Sequence, residues 1–137
     1  MRAGMTMPQF TYDPPLSSTP GFVQTIRVNG EKQGAGTATW HAPAAGEDGI
    51  AQILVFTVPL HHRRAGHGKR LMAAVIGQVL DYHRLRKLPP RRIWMIVRQK
   101  QQVIARAFLI SQGFVHTATI KELLLDEDAL VYVKTFN

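Results

Sequence analysis

Residues 58–71, Val-Pro-Leu-His-His-Arg-Arg-Ala-Gly-His-Gly-Lys-Arg-Leu, constrain the fold of this chain more than any other stretch. They separate an apolar run, Ile50 to Val58, from an amphipathic run, Lys69 to Arg86. The first run is apolar almost throughout, which predicts a central strand buried on both faces. In the second, Leu71, Met72, Val75, Ile76, Val79 and Leu80 recur at helical spacing and trace one apolar face. A strand that passes through a short basic loop into a helix presents the helix's first N–H groups, which have no intrahelical partner, at the positive end of the helix dipole. Gly66 and Gly68 lack a Cβ, so the loop can turn sharply and an anion can approach its backbone. The stretch reads as a pyrophosphate cradle.

Two common phosphate loops are excluded. In G-x-x-x-x-G-K-[ST] the glycines stand further apart, and here Lys69 is followed by Arg70; G-x-G-x-x-G fails because position 71 is Leu. Around the loop, Phe22 to Val28 and Thr37 to His41 have strand composition, with Asn29-Gly30 as a hairpin signal between them. Ile93 to Val97 is a second apolar strand beyond Pro89-Pro90, so strand, helix and strand form a right-handed crossover with the two strands parallel. Gln101 to Gln112 reads as a second helix with Val103, Ile104, Ala107, Phe108 and Ile110 toward the sheet and Gly113 as its C-terminal cap. Phe114 to Ile120, reaching as far as Leu125, and Ala129 to Phe136 pair as a hairpin about the polar turn Asp126-Glu127-Asp128. Gly77 inside the first helix suggests close packing. Residues 1–21, with Pro8, Pro14, Pro15 and Pro20, form an extended or partly disordered arm in which Gln9 to Tyr12 fits a short edge strand; 22–137 is the domain proper.

The charge is +8 and uneven: 12 of the 17 cationic residues lie between His61 and Arg106, against one acid, Asp81. That asymmetry calls for an anionic ligand or partner. It exceeds what one cofactor needs, so an acidic protein or a nucleic acid stays open as a second partner, while Arg84 to Arg92 reads most simply as a solvated surface. With no cysteine, disulfides, thiolate metal sites and a cysteine nucleophile are excluded, and a cytoplasmic location fits. No apolar run approaches the ~18 residues that cross a bilayer, and no His pair has helical metal-ligand spacing, so neither membrane nor metal is expected.

Arg63-Arg64-Ala65-Gly66-His67-Gly68 resembles the acyl-coenzyme A loop, [Q/R]-x-x-G-x-[G/A], of the GNAT N-acetyltransferase superfamily. A second stretch, Gln102 to Phe114, is similar to that family's N-x-x-A-x-x-x-(Y)-x-x-x-G-F segment, with Ala105, Gly113 and Phe114 in register. The resemblance covers about Phe22 to Phe136. It implies an α/β (α+β) fold: a mixed, largely antiparallel sheet with a central splayed pair of parallel strands and two main helices. The family's first two helices have no counterpart, which leaves the acceptor cleft open or completed by a partner subunit, as in a homodimer. The resemblance assigns acetyl-coenzyme A as cofactor, with Phe56, Thr57 and Val58 on its pantetheine arm. The loop Arg63, Arg64, Ala65, Gly66, His67, Gly68 and Lys69 takes its pyrophosphate, and Gln102 stands at the family's Asn position.

The implied reaction is acetyl transfer by direct attack of a primary amine on the thioester, the oxyanion held by backbone N–H near Val58. The acceptor is a small molecule, peptide or protein bearing an amine, and the basic face favours an acidic one. A lysine-like amine, with a pKa of ~10.4, must first lose a proton. Where the family places a carboxylate, this chain has Gln52 and Leu54; where it places the Tyr acid, Leu109. No residue is thereby marked as catalytic. His41, Glu47, Asp48, His67, Ser111 and His116 remain as substitutes, and a module on the same fold that holds coenzyme A or a protein partner without turnover, or a basic nucleic-acid-binding protein, stay open as rivals.

Overall fold

The computed structural model describes residues 9–12, 22–29, 36–42, 49–58 and 66–136. Their strands, each short and rich in β-branched or aromatic residues, join in one seven-stranded sheet. These are β1 (Gln9–Tyr12), β2 (Phe22–Asn29), β3 (Gly36–Ala42), β4 (Ile50–Thr57), β5 (Arg92–Arg98), β6 (Val115–Leu124) and β7 (Glu127–Thr135). They lie in the order β1-β2-β3-β4-β5-β7-β6, and every pairing is antiparallel except β4 with β5. That parallel pair is spanned by helix α1 (His67–Leu85), and α2 (Gln102–Ser111) follows β5 after a 3₁₀ turn, Gln99–Gln101. The fold is therefore the mixed sheet that the two motifs imply. Among the described residues these two are the only α-helices, and none is long and apolar enough to cross a membrane.

Alternation along β3 decides where the core sits. Ala38, Trp40 and Ala42 are buried while Thr37, Thr39 and His41 are half-buried. The buried set faces α1, whose Leu71, Met72, Val75 and Val79 pack on it, and Trp40 Nε1 donates to Gln78 Oε1 at 2.8 Å. Phe114, Leu130 and Tyr132 extend the same core beneath α2. Gly113 adopts φ 88° at the end of α2, where Phe114 N–H bonds Leu109 O at 2.9 Å, closing the helix as its sequence position suggests.

Several expectations are corrected. β4 is not buried on both faces: Leu54 is 50% and Val55 44% exposed, because the sheet divides beside them. In α2, Val103, Ala107, Ile104 and Ile110 face solvent, and the inward set is instead Ala105, Phe108 and Leu109, spaced i, i+3, i+4. A ten-residue helix that is apolar nearly all round gives no contrast from which to pick its inner face. Leu80 of α1 is similarly exposed, and its place is taken by His83, fully buried with Nδ1 2.8 Å from Val79 O. Gly77 packs against nothing; a Cβ there would meet open space. Finally, Glu127 and Asp128 belong to β7, not to the turn, which is Leu125-Asp126 with φ 66° at Asp126. Glu127 is buried, accepting from Lys100 N–H at 3.3 Å with the Arg98 guanidinium 3.8 Å away.

Candidate functional site

The site begins with one extra residue in β4. Thr39 of β3 lies opposite Val55, yet the next residue, Trp40, lies opposite Ile53, so Leu54 is bulged out. A bulge bends its strand and ends regular pairing. On the other side, β4 and β5 pair at Ile50–Arg92, Ala51–Ile93, Gln52–Trp94 and Ile53–Met95, and then stop. Both strands continue, β4 to Thr57 and β5 to Arg98, without meeting. From Leu54 on, the β4 backbone that faces β5 has lost its partner strand, and Ile96 and Val97 face it across a cleft of about 300 Å³. This is the splayed parallel pair.

The cleft runs on, past Phe56, Thr57, Gln101, Ala105 and Phe108, into a groove of about 580 Å³ between the start of α1 and the outer half of α2. Phe56 and Phe108 stack at 5.7 Å and 29°, forming the floor where the two meet. Gly66 stands at the groove in the left-handed region, φ 78°, with open space where a Cβ would be. A Cβ on Gly68 would stand 3.5 Å from the Phe108 ring, directly over that floor. The first helical bond of α1 runs from Arg70 N–H to Gly66 O at 3.1 Å, so the N–H groups of Gly68 and Lys69 precede any carbonyl that could take them within the helix. Among the described residues no side chain caps this end, and no acid sits in its first turn. It is an open, positive helix terminus.

Of the residues expected at a cofactor site, Phe56, Thr57, Val58, Gly66, Gly68 and Lys69 line this continuous space. His67 is buried and is not part of that lining. Arg63, Arg64 and Ala65 lie outside the described residues. Gln102, half-buried, is not in the lining; its neighbour Gln101 is, with Ser111 and Gln112 at the far end. Sequence reasoning does not single out those three polar residues as ligands. Their signal is an i, i+10, i+11 spacing along one side of the second helix, readable only once its inner face is known.

The substitutes for catalytic groups do not converge. His41 projects from the face of β3 opposite the helices, and His116 on β6 stacks on Tyr132 at 5.3 Å, its Nε2 3.1 Å from Thr119 Oγ1. Ser111 donates to Phe108 O at 2.5 Å. Leu109 is 2% exposed, a core residue. Glu47 and Asp48 lie outside the described residues. Among the described lining residues of cleft and groove, Lys69 is the only one with an ionisable side chain. No group of three or more potential metal ligands occurs among the described residues.

Neither a protein-family profile nor a curated protein matches the sequence. Solved structures do. A protein from Desulfovibrio desulfuricans, assigned to the GNAT acetyltransferases, superposes with TM-score 0.67 at 22% identity over 82% of this chain and 68% of its own. Ard1 from Thermoplasma volcanium gives 0.65 at 23%, over 82% and 70%. The ribosomal-protein-S18-alanine N-acetyltransferase of Escherichia coli gives 0.62 at 19%, over 87% and 71%. The chain has the GNAT fold.

Proposed function

We propose that this GNAT-fold chain is an acetyl-coenzyme A-dependent N-acetyltransferase that transfers the acetyl group directly to a primary amine. The observation that carries the reading is the interrupted β4–β5 pairing: after Ile53–Met95 both strands go on alone, and the gap leads to an open helix terminus. The residues fit the cofactor on three counts. Gly68 and Lys69 offer backbone N–H to a pyrophosphate, with the Lys69 and Arg70 side chains exposed beside them. The β5-facing backbone of Leu54 to Thr57 offers an extended pantetheine the hydrogen bonds a strand would have made. Phe56 and Phe108 give its apolar stretch a surface to lie on.

Bound there, acetyl-coenzyme A would supply an activated thioester carbonyl. The chain's part is to hold, align and polarise. Main-chain N–H groups of β4 beyond the bulge, left without a partner strand, would be the donors for the carbonyl oxygen as it gains charge, and fixed donors of that kind lower such a barrier by a few kcal/mol. Alignment alone contributes about 7–11 kcal/mol in well-oriented systems. With no carboxylate, histidine or tyrosine in the described lining, the amine must arrive neutral or lose its proton to water, so turnover should climb with pH toward the pKa of the acceptor amine. The basic surroundings suit an acceptor whose amine is carried by an acidic peptide or other anionic molecule.

The same absence favours a second reading, a coenzyme A-binding module without turnover. Free-thiol release measured across a panel of amines and peptides at pH 7 to 9, beside a direct binding measurement, separates the two. Amine-dependent thiol release establishes transfer; saturable binding with no release at any pH establishes the module.

A further inference from the structure

The last turn of α1 and the residues just beyond it gather charge that the cofactor groove does not use. Arg84, Arg86, Lys87, Arg91 and Arg92 are all exposed, and none lines the cleft or the groove. The segment is held at the pole where the parallel strands begin: Arg91 N–H bonds Gly49 O at 2.8 Å, and Phe136 N–H bonds Arg91 O at 2.8 Å. The groove is at the other pole, one helix away; 19 residues of α1 span about 28 Å. Among the described residues the only ion pair here is Arg84 with Asp81 at 2.8 Å, and both partners are exposed. Such a pair exchanges readily for a stronger anion.

We propose that residues 84–92 are a second anion site, one that takes the phosphate backbone of a nucleic-acid duplex. Three features select that ligand. Four of the five cations are arginine, whose planar fork grips phosphate in two-point contacts. Leu85 is the one large apolar side chain exposed among them, which is too little for the apolar centre of a protein interface. The nearby aromatic, Tyr82, is covered by Arg86, whose Cζ lies 4.1 Å from the ring centroid, so no platform is left for unstacked bases. The recognition left to this surface is of charge along a backbone, without sequence readout. The arginines must supply the attraction themselves, because the C-terminal end of α1 carries the negative end of its dipole; Lys87 holds φ 57°, its N–H bonded to Arg84 O at 3.0 Å, and Pro89 and Pro90 stiffen the approach to Arg91 and Arg92.

Anisotropy of labelled RNA and DNA duplexes of about 20 base pairs, titrated with the full chain from about 50 to 200 mM salt, tests the site. Five phosphate contacts give a log–log slope of about −4.5, a weakening of roughly 500-fold over that range. Arg91→Gln/Arg92→Gln should reduce the slope by about 1.8, and adding Arg84→Gln and Arg86→Gln by about 3.6 in all, with circular dichroism verifying that each variant folds. Lys69→Gln/Arg70→Gln at the groove, and saturating acetyl-coenzyme A, should leave duplex binding unchanged, so this test stands whether or not the cofactor reading does. The proposal is overturned if the loop variants keep the parental slope or if acetyl-coenzyme A displaces the duplex. Single strands binding more tightly than duplex would overturn it too, and polyglutamate competing as well as duplex would assign the loop to an acidic protein.

Discussion

Replacing Gly68 by Asp acts on stability and on binding with opposite signs. In the free protein the substitution is harmless. Gly68 lies outside the left-handed region, and a Cβ there meets the Phe108 ring at 3.5 Å and Val58 at 3.7 Å, ordinary contact distances. A carboxylate in the first turn of α1 sits at the positive end of the helix dipole, where no acid stands now, and contributes about 0.3–1 kcal/mol. Losing glycine from a helix adds a few tenths of a kcal/mol more. The melting temperature of the free variant should exceed that of the parent by about 2–4 °C. Acetyl-coenzyme A at 100 times its dissociation constant should stabilise the parent by about 2.7 kcal/mol. For 137 residues that is roughly 8–10 °C. One carboxylate about 5 Å from one phosphate charge, at an effective dielectric constant near 20, opposes binding by about 3 kcal/mol. The ligand shift should therefore all but vanish in the variant although its unliganded melt is raised rather than lowered. A parental shift that survives in Gly68→Asp would refute the placement of the pyrophosphate at this helix start.

Other substitutions probe the frame around the groove. Gly49→Ala should cost several kcal/mol and lower the melting temperature by roughly 10 °C or more, because its Cβ would overlap Pro89 O and its φ is +68°. Leu109→Tyr, which writes in the tyrosine that the sequence motif lacks, should not raise thiol release. The position is 2% exposed in the core, so a larger side chain costs about 1–3 kcal/mol, read by denaturant midpoint. Phe108→Ala removes the ring stacked on Phe56; cofactor affinity measured by calorimetry should fall about tenfold, whereas an unchanged affinity would place the ligand elsewhere.

Two strand-and-helix signals are readable from residues alone. The glycine loop between Ile50–Val58 and the Leu71–Val79 stripe locates the helix start within two residues, at His67 where the pattern predicts Lys69. The Gly113-Phe114 pair places the end of α2, because a left-handed residue there admits glycine best. Features set by pairing between distant strands are not readable in this way. The extra residue at Leu54 exists only relative to β3, and nothing in Ile50 to Thr57 distinguishes the half that pairs with β5 from the half that leaves it. Apolar composition there predicts burial, yet Leu54 and Val55 line an opening. Glu127 resembles a turn acid beside Asp126 and Asp128, and only the meeting of the hairpin with residues 98–100 explains its burial.

The central claim is that the unpaired ends of β4 and β5, with the first turn of α1, form one binding surface. Backbone amide shifts in a ¹⁵N-labelled sample, followed as acetyl-coenzyme A is added, test it most directly. The account predicts saturable changes concentrated at Leu54 to Thr57, Ile96 to Arg98 and Gly66 to Arg70, with Arg84 to Arg92 still. Shifts that leave those three segments untouched, or gather at the far pole of the sheet, would contradict it.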